Sequence, residues 1–278
     1  MSETPTSTAI IPNVFREKLL RNEVAYTLSI KLLTTVEIPV IAAGAGYTGI
    51  FIDMEHSPFS LETVSQLCIT ALQSGITPLV RSPSKNPWDI SRILDGGAYG
   101  VIVPHIHSAQ DARDVVDSAK FPPVGSRSSK NCLPHFQFRN LPSKVRTPIV
   151  NANTLVIPMI ETLDALEVVE EIAAVEGVDS LLVGSADLTA EMGIPGEYDS
   201  PRLEEAYRRV IAACAKHGKW VGIGALQARL DLVEKVCGMG ANWVMAGADS
   251  QILIKGVTGM AASMGAIAEK VNEKRKAA

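Results

Sequence analysis

Short, unbroken apolar runs alternate with longer amphipathic stretches along most of this chain. The runs fall at 24–30, 49–53, 78–82, 100–106, 155–160, 179–184, 220–223 and 243–246. Apolar runs this short, with no polar alternation, mark strands covered on both faces, as a parallel sheet requires. Helical periodicity fills the intervals at 60–74, 87–95, 109–119, 163–175, 201–217 and 225–237, and a short helix at 14–21 precedes the first strand. Several helices end on glycine just before the next strand, at Gly75, Gly96, Gly177 and Gly238. Glycine tolerates the left-handed conformation that commonly closes a helix.

Eight such units predict a single-domain α/β protein, a (β/α)8 TIM barrel, whose functional residues gather at the carboxyl ends of the strands. A doubly wound open sheet is the alternative. It usually carries a G-x-G-x-x-G after the first strand, which this chain lacks. The expected organisation is a polar lead over 1–13, a barrel over 14–274 and a tail over 275–278. One interval breaks the rhythm. Residues 121–153 contain five prolines and no clear period, which predicts a long loop. In that reading Pro123–Ser128 line a site, and the section up to Arg146 acts as a lid. The last helix, about 251–274, carries an apolar stripe of Ile252, Leu253, Val257, Met260, Met264, Ile267 and Val271 that needs a partner surface.

Composition narrows the function. A chain of 278 residues with 46% hydrophobic and 5% aromatic residues supports one large aliphatic core. A formal net charge of −4 and no sustained basic block argue against nucleic acid and toward a small-molecule partner. Four scattered cysteines without C-x-x-C spacing read as free thiols in a reducing compartment. No leader pattern and no run of about 18 apolar residues is apparent, so the expectation is a cytoplasmic protein with no membrane partner.

Polar residues at strand ends supply the candidate chemistry. The second strand ends in Asp53-Met54-Glu55-His56, the third in Arg81, the fourth in His105, the fifth in Glu161 and the sixth in Gly184-Ser185-Ala186-Asp187. Two carboxylates, Glu161 and Asp187, on neighbouring strand ends suit a hard divalent cation that keeps waters and accepts substrate oxygens. Zinc is disfavoured because no histidine pair stands at ligand spacing. Either acid alone could instead cap a helix, and it is the pairing that favours ligation. Glu55 reads as a structural acid because its neighbour His56 faces the other side of the strand. His107, His135 and His217 read as structural histidines.

These residues lie in an ordered set of segments: GYTGIFIDMEHSPFS (46–60), TPLVRSP (77–83), ILDGGAYGVIVP (93–104), PPVGSRS (122–128), MIET (159–162) and VGSADLTAEMG (183–193). The set resembles the HpcH/HpaI aldolases, the metal-dependent class II pyruvate aldolases. The resemblance implies Mg²⁺, or Mn²⁺ or Co²⁺, held by Glu161 and Asp187. It implies Arg81 on the keto oxygen of a 2-oxo acid, the Ala186 and Asp187 amides beside Ser185 on its carboxylate, and His56 as acid/base with Asp95 as its partner. It also implies a homo-oligomer, a hexamer built as a trimer of dimers with the last helix exchanged. Two departures stand out: His105 follows Pro104, and Ser185 precedes Ala186 where the family has proline. The first is similar to the fungal macrophomate synthase branch, and His105 would then meet a second substrate or a departing carboxylate. The alternatives are thus a synthase adding the enolate to a 2-pyrone, and a non-catalytic barrel that binds 2-oxo acids.

Overall fold

The computed structural model describes residues 10–277; residues 1–9 of the polar lead and Ala278 of the tail lie outside the described residues. In chain order the elements are α1 (Val14–Leu20), β1 (Ala25–Ile30), α2 (Glu37–Gly44), β2 (Gly49–Asp53), α3 (Leu61–Gln73), β3 (Thr77–Arg81), α4 (Pro87–Asp95), β4 (Gly100–Val103) and α5 (Ala109–Ala119). There follow α6 (Ser143–Asn153), β5 (Leu155–Ile160), α7 (Leu163–Glu167), α8 (Val169–Ala173), β6 (Ser180–Val183), α9 (Ser185–Glu191), α10 (Pro201–Lys216), β7 (Trp220–Ile223), α11 (Leu230–Met239), β8 (Trp243–Ala248) and α12 (Asp249–Ala277). The strands close in sequence order into one parallel barrel, so every strand end opens on the same rim.

Two apolar layers hold the barrel. Inside it, Phe51, Leu79, Ile102, Ile157, Leu182 and Trp243 stack on one another, and Phe15 and Leu19 of α1 plug the amino-terminal end. The Phe15 and Trp243 rings meet edge to face at 5.5 Å. Gly222 makes room for that indole, because a Cβ there would lie 2.1 Å from it. Outside, the other strand faces pack on the helices in a continuous aliphatic layer. The four cysteines are free, Cys68 and Cys214 being buried.

Residues 121–153 depart from the long-loop expectation. They contain a 3-10 turn (Pro134–Phe136) and helix α6, and they bury a core of their own from Phe121, Leu133, Phe136 and Val150. This segment joins the end of α5 to the start of β5, so it covers the amino-terminal end of the barrel and cannot be a lid over its own strand ends. Ser126 and Arg127 donate their backbone N–H to Asp117 and Lys120 at the end of α5, so Pro123–Ser128 line no rim site in this chain. Arg146, completely buried, ties the segment together through Asn131, Leu141, Ser129 and Ser143. The predicted helix 163–175 breaks at Val168 into α7 and α8. The predicted helix 225–237 begins only at Leu230, because Ala225 takes a left-handed φ of 65°.

Helix α12 runs to Ala277, past the expected boundary at 274, and is exposed from Gln251 onward. Among the described residues it is the one helix long and apolar enough, by length and composition, to cross a membrane. Six of its large apolar residues nevertheless follow a 4-3-4-3-4 spacing, Leu253, Val257, Met260, Met264, Ile267 and Val271, with Ile252 and Ile254 flanking the stripe at its start and Lys255, Ser263, Glu269 and Lys270 outside it. A one-sided stripe is the mark of a helix that packs on protein.

Candidate active site

The last residues of β2 and β3, Asp53 and Arg81, are direct partners in the sheet register, and their side chains meet. Arg81 donates from Nε to Asp53 Oδ1 at 3.0 Å and from Nη2 to Oδ2 at 2.6 Å. The two-pronged fit locks the guanidinium in one orientation. Asp53 is fully buried. It also accepts the backbone N–H groups of Glu55 and His56 on Oδ1 and stands 3.1 Å from Lys31 Nζ. Burial pushes its carboxyl up, but the Arg81 bonds and charge, the Lys31 charge and the His56 amide outweigh that and hold it at about 2.

Glu55 extends the network. Its Oε2 pairs with Arg81 Nη1 at 2.9 Å, and its Oε1 meets His105 Nε2 at 2.9 Å. Glu55 thus supports Arg81 and His105, but it does not face away from His56 as strand alternation suggested, because β2 ends at Asp53. His56 projects into the rim with its ring largely exposed and Nε2 4.0 Å from Glu55 Oε2.

Across the mouth, Glu161 directly follows β5, and Asp187 stands in the first turn of α9, just beyond β6. Glu161 is buried at 3% exposure. Burial raises its carboxyl; the His105 amide acts in the opposite direction, and the charges of Asp187 and Glu55 raise it again. Capping is done by others: Thr162 caps α7 through its side chain, and the N-cap of α9 is Gly184, which brings no side-chain bond. Gly184 is also the space in which Glu161 lies, since a Cβ there would sit 2.9 Å from Glu161 Cβ and 3.0 Å from Oε2.

His105 joins the two halves. Its backbone is left-handed, with φ 56°, an uncommon conformation that histidine enters more readily than most residues. That turn lets its N–H donate to Glu161 Oε1 at 2.7 Å while its ring reaches Glu55. His105 is therefore a hydrogen-bonded rim histidine that bridges the acids of β2 and β5.

A cavity of about 390 Å³ opens between these groups and is lined by His56, Arg81, Gly184, Ala186, Asp187 and Lys31. Four carboxylates, Asp53, Glu55, Glu161 and Asp187, face two permanent cations, Lys31 and Arg81, at this rim. The surplus of two negative charges equals the charge of one divalent ion. Among the described residues no group of three or more His, Cys, Asp or Glu is placed to hold a metal, and two acids alone would leave most coordination positions to water and substrate oxygens. Those features fit a hard divalent cation and not a closed zinc site.

Two sequence assignments need correction. Asp95 ends α4 just before the start of β4, at the barrel end opposite His56, and there it accepts from Arg127 Nη2 at 2.6 Å; within this chain it is not the partner of His56. The Ser185 hydroxyl, completely buried, pairs with Tyr207 Oη at 2.7 Å, so only its backbone remains for a substrate. The sequence reading noted Asp53 at the end of the second strand without giving it a role and passed over Lys31, the charged residue that directly follows the first strand.

Fold and rim together define a barrel with strand-end acids and an arginine fixed by Asp53 beside an open cavity. The comparisons name the family. Residues 34–256 match the model of the HpcH/HpaI aldolase/citrate lyase family, and the chain belongs to it; it is an aldolase-type lyase. A 4-hydroxy-4-methyl-2-oxoglutarate aldolase from Hapsidospora irregularis is 39% identical over 92% of this chain and 96% of its own length. Among solved structures, an HpcH/HpaI aldolase from Desulfitobacterium hafniense DCB-2 superposes with a TM-score of 0.86 at 26% identity, over 91% of this chain and 97% of that one. Macrophomate synthase shares the fold with a TM-score of 0.78 at 22% identity, over 97% and 96% of the two chains.

Proposed function

We propose that this protein cleaves 4-hydroxy-2-oxo acids, and decarboxylates oxaloacetate, through a pyruvate enolate. The observation that carries this reading is the Asp53-fixed Arg81 and Asp187 lining one cavity, with the buried Glu161 close enough to Asp187 for their charges to interact. Glu161 and Asp187 would hold the ion, Mg²⁺ first, with Mn²⁺ or Co²⁺ able to replace it. When bound, the ion supplies Lewis-acid stabilisation of negative charge on the keto oxygen.

The residues of the chain do the rest. Arg81, unable to swing away from Asp53, directs N–H groups at the keto oxygen, where charge develops. The first amides of α9, at Ala186 and Asp187, have no partner within the helix and take the substrate carboxylate. His56 accepts the proton of the 4-hydroxyl as the C3–C4 bond breaks. The bond pair passes into the enolate, whose C3 then takes a proton and becomes the pyruvate methyl group. Loss of carbon dioxide from oxaloacetate reaches the same enolate without the hydroxyl proton.

His105 is engaged by both Glu55 and Glu161, which supports a role in orienting those acids and favours aldol cleavage over addition to a 2-pyrone. A full set of chemically competent side chains argues against a barrel that only binds. Glu161→Gln and Asp187→Asn should each abolish metal-dependent oxaloacetate decarboxylation and 4-hydroxy-2-oxo acid cleavage. Full activity of the unmodified protein after exhaustive chelation would overturn the proposal. The exposed stripe of α12 supports a homo-oligomer, for which we propose a hexamer arranged as a trimer of dimers with this helix exchanged.

A further inference from the structure

Glu161 and Asp187 are held in different ways. Glu161 Oε1 accepts the His105 N–H at 2.7 Å, so a neighbouring loop orients that carboxylate. Among the described residues the Asp187 carboxylate accepts no hydrogen bond and enters no ion pair. Its position therefore depends on the first turn of α9, in which it stands. That turn has little stiffness of its own. α9 is seven residues long, and its N-cap, Gly184, brings no side-chain bond; helices this short are marginal without tertiary support.

Tertiary ties hold both ends of α9. Beyond its last turn Arg202 donates to the Met192 carbonyl at 2.8 Å, and the Gly196 N–H donates to Thr189 Oγ1 at 3.2 Å. At its start stands the pair of hydroxyls of Ser185 and Tyr207, 2.7 Å apart. Ser185 is completely buried, while its neighbours Ala186 and Asp187 are exposed and line the cavity. Tyr207, 3% exposed, belongs to the 16-residue α10, whose buried face of Leu203, Ala206, Val210, Ala213 and Cys214 seats it in the outer layer of the barrel. A weakly held turn is thus tied to a long helix that is fixed elsewhere. Because both hydroxyls are buried, separating them leaves each without a partner, and that penalty keeps the turn where they meet.

Ser185 occupies the first helical position, and its N–H donates to no carbonyl among the described residues. Proline suits that position, because its φ is fixed and it has no N–H to lose. Gly184 before it, at φ −83° and ψ 79°, lies outside the α region that a residue preceding proline avoids. Serine places no such restraint on the backbone. The restraint has to come through its side chain, and Tyr207 supplies it.

We propose that Tyr207 is a positioning residue of the site: acting through the Ser185 hydroxyl, it sets the first turn of α9 and so aims the Asp187 carboxylate at a divalent cation. The proposal rests on the reading of Asp187 as a ligand.

The test measures Mn²⁺ affinity of the full chain by calorimetry, without substrate. Tyr207→Phe, which removes only the hydroxyl, should weaken binding by about 10-fold, the lower end of the range for residues that orient a ligand. Ser185→Ala should do the same, and the two together should cost no more than either alone, since both break one bond. Ser185→Pro added to Tyr207→Phe should restore most of the affinity by fixing the backbone instead. If the pair serves only the stability of the fold, Tyr207→Phe lowers the Tm and leaves Mn²⁺ affinity unchanged, and that result overturns the proposal. Affinity that stays low in the Tyr207→Phe/Ser185→Pro chain, with an unaltered circular dichroism spectrum, overturns it as well. Asp187→Asn is measured in parallel and should abolish tight Mn²⁺ binding. If Asp187→Asn binds Mn²⁺ as the unmodified chain does, the ligand reading fails and takes the proposal with it. If Asp187→Asn loses the ion while Tyr207→Phe keeps it at full affinity, the proposal alone fails.

Discussion

Asp53→Asn separates the network that fixes Arg81 from the acids that would hold a metal. Asparagine keeps the shape and one acceptor oxygen, but Arg81, only 6% exposed, loses the charge paired to its Nε and Nη2. Holding the Asp53 carboxyl at about 2, against an ordinary 3.8, corresponds to roughly 2.5 kcal/mol of stability at neutral pH. Breaking a buried ion pair by removing one partner costs about 3–5 kcal/mol. Glu55 remains on Nη1, so the lower end applies, and about 3 kcal/mol is expected. For a chain of this length that lowers the Tm by about 6 °C.

The assay is urea or thermal unfolding at fixed protein concentration, repeated from pH 7 downward. The sign follows from the direction of the shift. A carboxyl depressed in the folded state stabilises above its unfolded value and loses that contribution as pH falls toward the folded value. The gap between wild type and Asp53→Asn should therefore close between about pH 4 and pH 2. In a double-mutant cycle with Arg81→Met, the coupling energy should be at least about 1 kcal/mol. A loss below 1 kcal/mol at pH 7, a gap independent of pH, or additive single losses would refute the reasoning.

Two further outcomes follow from particular contacts. Gly184→Ala places a Cβ against Glu161, so metal affinity measured by calorimetry should fall by about 10- to 100-fold, as for other residues that orient a ligand, while the circular dichroism of the fold is retained. Met260→Glu with Ile267→Glu puts two charges in the stripe of α12, and light scattering should show a smaller assembly; an unchanged mass would contradict packing through that face.

Much of the fold was legible because a parallel barrel writes itself as uninterrupted apolar runs: β2, β5 and β7 lie where the runs lie. Residues 121–153 were harder. The apolar residues of α6 are few and Pro148 interrupts it, so no period marks it as a helix; its stability comes from Val150 meeting Phe121, Leu133 and Phe136, which are distant in sequence. At the site, strand-end acids were legible one by one, but register is not written in a single strand. Asp53 became the partner of Arg81 only when β2 and β3 aligned. Asp95 shows the opposite case: within one chain a helix end near a strand in sequence belongs to the other end of the barrel from the strand's exit, and there it meets Arg127.

The central claim is that the Glu161–Asp187 rim forms a pyruvate enolate. Its most direct measurement is proton NMR of pyruvate in deuterated water with the enzyme, with and without a divalent cation. The account predicts metal-dependent loss of the methyl signal, abolished by Glu161→Gln. Tight pyruvate binding with no methyl exchange in the presence of Mg²⁺, Mn²⁺ or Co²⁺ would contradict it.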